Sequence, residues 1–188
     1  MPTFSVFIDA RPHSLTLHGY IALFETIKAG GRKGLEAPCA VLMAFLVESY
    51  VNSLGARMII AWDAIERIPW RNKVELLHAH ANRKADWSRE PLAFAIELFQ
   101  VRDKMAHGKP ERVHNRDLKV PDGHTYSSAM VPVLADRCEP KWYTRIDRDW
   151  ILASRPRLDA LLAYLAVMHG LDALDFQSVG DIRVEPAK

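Results

Sequence analysis

The chain alternates between stretches of helical periodicity and short breaks of glycine, proline and polar residues. In the helical stretches, apolar residues recur every three to four positions, the spacing that places side chains on one face of a helix. This pattern predicts five helices, at about residues 15–29, 38–60, 72–80, 90–107 and 155–169. Residues 4–8 alternate as a short strand or extended arm would. We therefore expect an all-α fold, a bundle of four to five helices.

A long polar stretch, residues 108–146, precedes the last predicted helix and lacks clear periodicity. Connections of this length without structure of their own are usually functional or mobile. Residues 15–107 and 147–170 are expected to form the core of a single domain covering residues 1–188, because this length can bury a sizeable interior. Ser154 is the expected N-cap of the last helix.

The net charge, the number of cysteines and the absence of known motifs each limit the functions that this chain can have. The net charge is +2, so any nucleic-acid-binding surface must be local rather than global. Two cysteines are too few for a disulfide scaffold, and we expect them to be reduced thiols. No zinc-ligand spacing, phosphate loop or hydrolase motif occurs, so we predict neither a metal nor a cofactor.

No secretion or membrane signal is evident in the sequence. Residues 1–11 lack a basic region followed by a long apolar run. The longest apolar run, residues 37–47, is shorter than the roughly 20 residues that a membrane span needs. We therefore expect a cytoplasmic protein with no membrane contact.

The fourth predicted helix carries charged residues on its apolar side. In a helical projection, Arg102 falls among Leu98 and Phe99, and Asp103 also falls on the inward side. A charged residue on an apolar face needs a partner, a ligand or a subunit interface. Glu48, on the second predicted helix, is the leading candidate to form a buried ion pair with Arg102.

His107 lies at the end of this helix, where Gly108 and Pro110 stop it. Gly108 is expected in the left-handed conformation that commonly ends helices. The negative end of the helix dipole favours a protonated imidazole at His107. Together with Arg102, such a histidine would suit a phosphate group.

The segment of residues 101–109 resembles the signature of HEPN domains (higher eukaryotes and prokaryotes nucleotide-binding), in which an arginine is followed after four to six residues by a histidine. Here these residues are Arg102 and His107, and a polar residue, Asp103, follows the arginine. Glu48 and Asn52 are similar to the polar position that many HEPN proteins hold on an earlier helix. The resemblance covers residues 36–110 well and the rest loosely.

The resemblance implies a metal-independent ribonuclease that uses the 2′-hydroxyl of its RNA substrate as nucleophile. His107 would act as general base or acid, and Arg102 would hold the scissile phosphate. Asp103 or Glu48 would orient these two residues. The RNA backbone would be bound by four basic residues, Lys109, Arg112, Arg116 and Lys119.

Residues five positions apart on a regular helix point about 140° apart. Arg102 and His107 can therefore meet only if the last turn unwinds at Gly108 or if two copies of the helix face each other. HEPN proteins commonly form homodimers of the second kind. The resemblance also implies a toxin or defence setting, with an antitoxin or nucleotidyltransferase partner.

Three other interpretations remain open from the sequence. Arg102 can be a purely structural ion-pair partner of Glu48 or Asp103, and His107 can bond to carbonyls at the helix end. The chain can equally be a non-catalytic HEPN-like module that binds a nucleotide or a protein. Trp142 and its neighbours can form a base-stacking surface, although packing is the more ordinary role for tryptophan.

Overall fold

The computed structural model describes residues 4–31, 33–114, 139–178 and 180–186. These residues form six α-helices: α1 (Pro12–Lys28), α2 (Glu36–Met58), α3 (Trp70–His80), α4 (Leu92–His107), α5 (Lys141–Thr144) and α6 (Arg148–Met168). They also form two strands, β1 (Phe4–Ala10) and β2 (Gly180–Pro186), and short 3₁₀ turns at Trp62–Ala64 and Asp175–Gln177. The prediction of an all-α bundle is confirmed.

Helix α2 lies at the centre of the bundle, and α1, α3, α4 and α6 all pack on it. Its buried side chains point in several directions, as expected of a helix that is apolar nearly all round. Gly55 is needed where α2 meets the next turn, because a Cβ there would lie 2.2 Å from the Trp62 ring. By length and composition α2 could cross a membrane, with a mean hydropathy of 1.5, but 56% of that window is buried inside the protein.

The first and last described segments of the chain pair with each other. Strand β1 pairs antiparallel with β2, and Val6 lies opposite Val184. Nearby, the Asp175 carboxylate accepts hydrogen bonds from the Arg57 guanidinium at 2.7 and 3.2 Å and from the Tyr50 hydroxyl at 3.1 Å. Arg11 adds a contact at 3.4 Å. We call Arg11, Tyr50, Arg57 and Asp175 the Asp175 cluster; it ties α1 and α2 to the C-terminal segment.

The last helix begins earlier than its proline suggests. Helix α6 starts at Arg148, and the Asp147 side chain caps it by accepting a hydrogen bond from the Trp150 backbone N–H at 2.8 Å. The prediction of Ser154 as N-cap is therefore wrong: Ser154 is buried, and Pro156 lies inside the helix. The prediction failed because it assumed that Pro156 lies in the first helical turn, where proline is common. Here the N-cap is Asp147, more than two turns before Pro156.

The connection before α6 was expected to be irregular throughout. Residues 108–114 adopt neither helix nor strand, whereas residues 115–138 lie outside the described part of the chain. Residues 141–144 form the short helix α5, so this end of the segment is regular. Pro140 precedes this helix in an extended conformation, a position in which its fixed φ angle helps to start a helical turn.

Candidate functional site

Arg102 faces α2, and only 18% of its side chain is exposed. Its Nη2 atom lies 3.5 Å from Oε2 of Glu48, and its Nη1 atom lies 3.3 Å from Oδ1 of Asp103. The predicted ion pair between Glu48 and Arg102 is therefore confirmed. It forms because the apolar face of α4 packs on α2 and carries the guanidinium inward.

A second cation shares Glu48. The Nζ atom of Lys73 on α3 lies 3.6 Å from Oε1 of Glu48, and the Lys73 side chain is only 4% exposed. Sequence reasoning missed this residue, although a signal existed: Lys73 precedes the buried Leu77 by four positions and so shares its helix face. We call Glu48, Lys73, Arg102 and Asp103 the Arg102 cluster.

The Arg102 cluster is balanced in charge but poor in hydrogen bonds. Arg102 makes no hydrogen bond to the described residues, and its Nε atom is buried without a partner. The guanidinium also lies 5.0 Å from the centre of the Phe99 ring, which stacks on Trp70. On α2, the Oδ1 atom of Asn52 is likewise buried without a partner in this part of the chain. Donor capacity therefore remains unused on Arg102, and acceptor capacity on Asn52, one helical turn along α2 from Glu48.

His107 is the last residue of α4 and is exposed. The expectation that Gly108 adopts a left-handed conformation is wrong, since its φ is −55°. Glycine is required there for a different reason: a Cβ would lie 2.6 Å from the Lys104 carbonyl oxygen. Because α4 stays helical through His107, the two motif residues diverge, and one copy of the chain does not bring Arg102 and His107 together.

Asp103 lies between the two motif residues. The expectation that it faces inward is wrong, because 53% of its side chain is exposed. It contacts Arg102 on one side, and on the other it lines a cavity of about 880 Å³ that His107 also lines. We call this space, bounded by the C-terminal half of α4, by α5 and by the start of α6, the α4–α5 cavity.

The four basic residues predicted to bind RNA are placed differently. Lys109 lines the α4–α5 cavity, whereas Arg112 is exposed and does not line it. Arg116 and Lys119 lie outside the described residues. The structure therefore brings His107, Asp103 and Lys109 to one cavity and holds Glu48 and Arg102 on the neighbouring face of α4.

The described residues outside this site offer neither a metal-binding group nor a reactive cysteine. No group of three or more His, Cys, Asp or Glu side chains in this part of the chain is placed to hold a metal ion. Burial and the nearby Glu36 carboxylate raise the pKa of the Cys39 thiol to about 12, so this buried cysteine is a poor nucleophile.

The buried His13 belongs to the packing around the Asp175 cluster. Burial and the positive charge of Arg11 lower its pKa to about 4, and its Nδ1 atom is hydrogen-bonded to the Ser53 hydroxyl at 2.9 Å. Sequence reasoning did not single out His13, because its partners come from distant parts of the chain. With no exposed surface, it cannot reach a substrate.

Comparison with known proteins supplies no identification. No protein-family model matches the chain, and neither a curated protein nor a solved structure does. The fold and the geometry of the Arg102 cluster and the α4–α5 cavity are therefore the observations from which a function is inferred.

Proposed function

We propose that this protein is a HEPN-like, metal-independent endoribonuclease in which Arg102 of one copy and His107 of another act together at a homodimer interface. The observation that supports this most strongly is the incomplete hydrogen bonding of Arg102. A guanidinium has five N–H donors, and a mostly buried one that serves stability alone is expected to use them. The Nη atoms of Arg102 lie 3.5 and 3.3 Å from carboxylates without hydrogen bonds to the described residues, and their donors suit the oxygens of a phosphate group.

The proposed chemistry uses groups on this chain, on the RNA and on water. The 2′-oxygen attacks the adjacent phosphorus, and the bond from phosphorus to the 5′-oxygen breaks. His107 acts as general base or acid: it accepts the proton of the 2′-hydroxyl or donates one to the 5′-oxygen, and water carries out the other proton transfer. Arg102 donates to the phosphate oxygens as charge builds on them. The products are a 2′,3′-cyclic phosphate and a free 5′-hydroxyl.

Glu48 and Asp103 are positioning residues in this proposal. Their carboxylates hold the guanidinium electrostatically at 3.5 and 3.3 Å without occupying its donors in hydrogen bonds. Lys109 and Arg112 are exposed, and they would attract the RNA backbone together with Arg116 and Lys119. The cytoplasmic location and a toxin–antitoxin setting, with an antitoxin or nucleotidyltransferase partner, belong to the same proposal.

The proposal is tested by RNA cleavage in the presence of EDTA. Wild-type protein should cleave, and His107→Ala and Arg102→Ala should each reduce the rate by about 100-fold or more, as loss of a transition-state donor does elsewhere. His18→Ala and Arg83→Ala are matched controls, because both residues are exposed and lie outside the site. They should leave cleavage unchanged. Circular dichroism checks that every variant is folded.

A second function is favoured by the placement of Arg102 within one copy. Its side chain is mostly buried and does not line the α4–α5 cavity. A non-catalytic module that binds RNA or a nucleotide needs no contact between Arg102 and His107. Under this alternative, wild-type protein binds RNA in a manner that depends on Lys109 but does not cleave it.

A further inference from the structure

Lys73 is a buried cation whose contact with its partner is long. Its side chain is 4% exposed, and its Nζ atom lies 3.6 Å from Oε1 of Glu48. At this distance the contact is an ion pair rather than a hydrogen bond. Among the described residues, Glu48 is the only carboxylate with which Lys73 pairs. Since burying an ammonium group costs free energy that a single long contact recovers poorly, a role beyond packing is worth seeking for Lys73.

Glu48 is contacted by cations from two helices. Lys73 of α3 lies near Oε1, whereas Arg102 of α4 lies 3.5 Å from Oε2, so each cation faces a different oxygen of the carboxylate. Helix α3 is held against α4 by Trp70, whose ring stacks on that of Phe99 with 3.8 Å between the ring centres. Lys73 follows Trp70 by three positions and shares its side of α3. The stacked rings therefore fix the helix that carries the ammonium group to Glu48.

The charges of the Arg102 cluster balance only because Lys73 is present. Glu48 and Asp103 each contribute a negative charge, and Arg102 and Lys73 each contribute a positive one. Asp103 is 53% exposed, so water and salt screen its charge, whereas Glu48 is 30% exposed and is screened less. Without Lys73, the guanidinium of Arg102 would share a net negative cluster, which opposes the approach of a phosphate group.

We propose that Lys73 is a positioning residue of the proposed reaction: it neutralises Glu48, so that the positive charge of Arg102 stays available to the phosphate. The inference rests on the proposed function. Lys73 is too deeply buried to touch the RNA, and it acts through Glu48. Negative charge on the phosphate oxygens grows toward the transition state, and an unbalanced Glu48 would oppose it most at that point. Loss of Lys73 should therefore lower kcat more than it raises KM.

The test compares RNA cleavage in EDTA by Lys73→Met and by the same variant with Glu48→Gln. Methionine keeps an apolar stem and removes the charge, so kcat should fall by about tenfold or more in the folded protein. Glu48→Gln removes the charge that Lys73 balances, and the double variant should cleave about threefold or more faster than Lys73→Met.

Two controls separate this charge effect from a loss of structure. Glu48→Gln alone should not accelerate cleavage, because Lys73 already balances Glu48 in the wild-type chain. Lys84→Met is the matched control for charge: this lysine is exposed, and its loss should leave cleavage unchanged. Circular dichroism and urea denaturation establish conditions under which every variant is folded.

A second probe tests the role of Lys73 without the chemical step. An RNA oligonucleotide with 2′-O-methyl groups lacks the nucleophile, so calorimetry with it measures binding alone. Lys73→Met should weaken binding by about threefold or more, and Glu48→Gln in the same chain should restore it.

The outcomes distinguish this inference from the proposed function. Cleavage at the full rate by folded Lys73→Met, or a double variant no faster than Lys73→Met, would overturn the role of Lys73 and leave the nuclease standing. Binding of the methylated RNA with the expected dependence on Lys73 and Glu48, but no cleavage, would uphold that role at an anion site and contradict the nuclease. Wild-type protein that neither binds nor cleaves RNA would overturn both.

Discussion

Two carboxylates in this molecule each lie between two cations, yet their surroundings differ. In the Asp175 cluster, Arg57 and Tyr50 donate hydrogen bonds at 2.7–3.2 Å, and Arg11 completes the group. In the Arg102 cluster, Glu48 receives Lys73 and Arg102 only at 3.5–3.6 Å. The first arrangement is what a structural ion cluster requires, whereas the second leaves donors free.

The difference shows how a structural charge is distinguished from a functional one. Although burial alone would raise it, the hydrogen bond and charge of Arg57 hold the pKa of Asp175 below its usual value. The carboxylate is thus charged and its oxygens are occupied. Arg102 is charged as well, but among the described residues it makes no hydrogen bond, and its Nε atom is buried without a partner. We expect loss of Asp175 to cost mainly stability and loss of Arg102 to cost mainly activity.

The largest effect is expected from Asp175→Ala. This substitution leaves two guanidinium groups and the Tyr50 hydroxyl without their shared acceptor, although Arg57 is partly exposed. The free energy of unfolding should fall by about 2–4 kcal/mol, measured by urea denaturation. Asp149→Ala is the matched control, because that side chain is 90% exposed, and it should change stability little. A loss as small as that of the control would show that the cluster is not structural.

The pH dependence of stability tests the packing around the Asp175 cluster through the buried His13. The pKa of His13 is lowered to about 4, below its ordinary value of 6.5, so the unfolded chain takes up the proton first as the pH falls. The free energy of unfolding should therefore decrease between pH 7 and pH 5, by about 2 kcal/mol more in wild type than in His13→Gln. Denaturation at both pH values measures this. Parallel curves for the two proteins would contradict the burial of a neutral imidazole.

A smaller effect is expected from a double-mutant cycle on the Arg102 cluster. In Lys73→Met or Arg102→Met alone, Glu48 keeps one cation, whereas the double variant leaves it with none. The double variant should therefore lose about 1 kcal/mol more than the sum of the single variants. Strict additivity in urea denaturation would mean that the two cations do not share Glu48.

The smallest change in stability is expected from Arg102→Met alone. Methionine keeps an apolar stem against Phe99, and Glu48 remains paired with Lys73. The free energy of unfolding should change by less than about 1 kcal/mol, since the contacts that are lost are not hydrogen bonds. A loss as large as that of Asp175→Ala would identify Arg102 as a structural residue.

The sequence predicted the parts of the molecule that depend on local periodicity. The helical spacing located the bundle. A projection of the fourth predicted helix turns Arg102 inward, and Glu48 is the acidic residue among the polar exceptions on the apolar second helix. The same periodicity places Lys73 on the buried face of its helix. A lysine is usually expected to be exposed, although its long apolar stem lets it lie on such a face, and for this reason Lys73 was overlooked.

The parts that the sequence did not predict depend on tertiary contacts. Arg11 and Asp175 are 164 residues apart, so no local pattern links them. Asp103 is exposed and lines a cavity that residues of α5 and α6 also line, and the position of those helices is not encoded in α4. The role of Gly108 also could not be predicted from the sequence. A glycine after a helix can adopt a left-handed conformation or allow a close approach to a carbonyl oxygen, and the structure shows the second.

The central claim is that Arg102 completes its hydrogen bonds on a substrate held together with His107 of a second copy. The most direct test is to co-express Arg102→Ala and His107→Ala chains and measure RNA cleavage in EDTA. Random pairing makes about half of the dimers mixed, and each mixed dimer has one intact site of two, so about a quarter of the wild-type rate should return. A mixture as inactive as either variant alone would contradict the account.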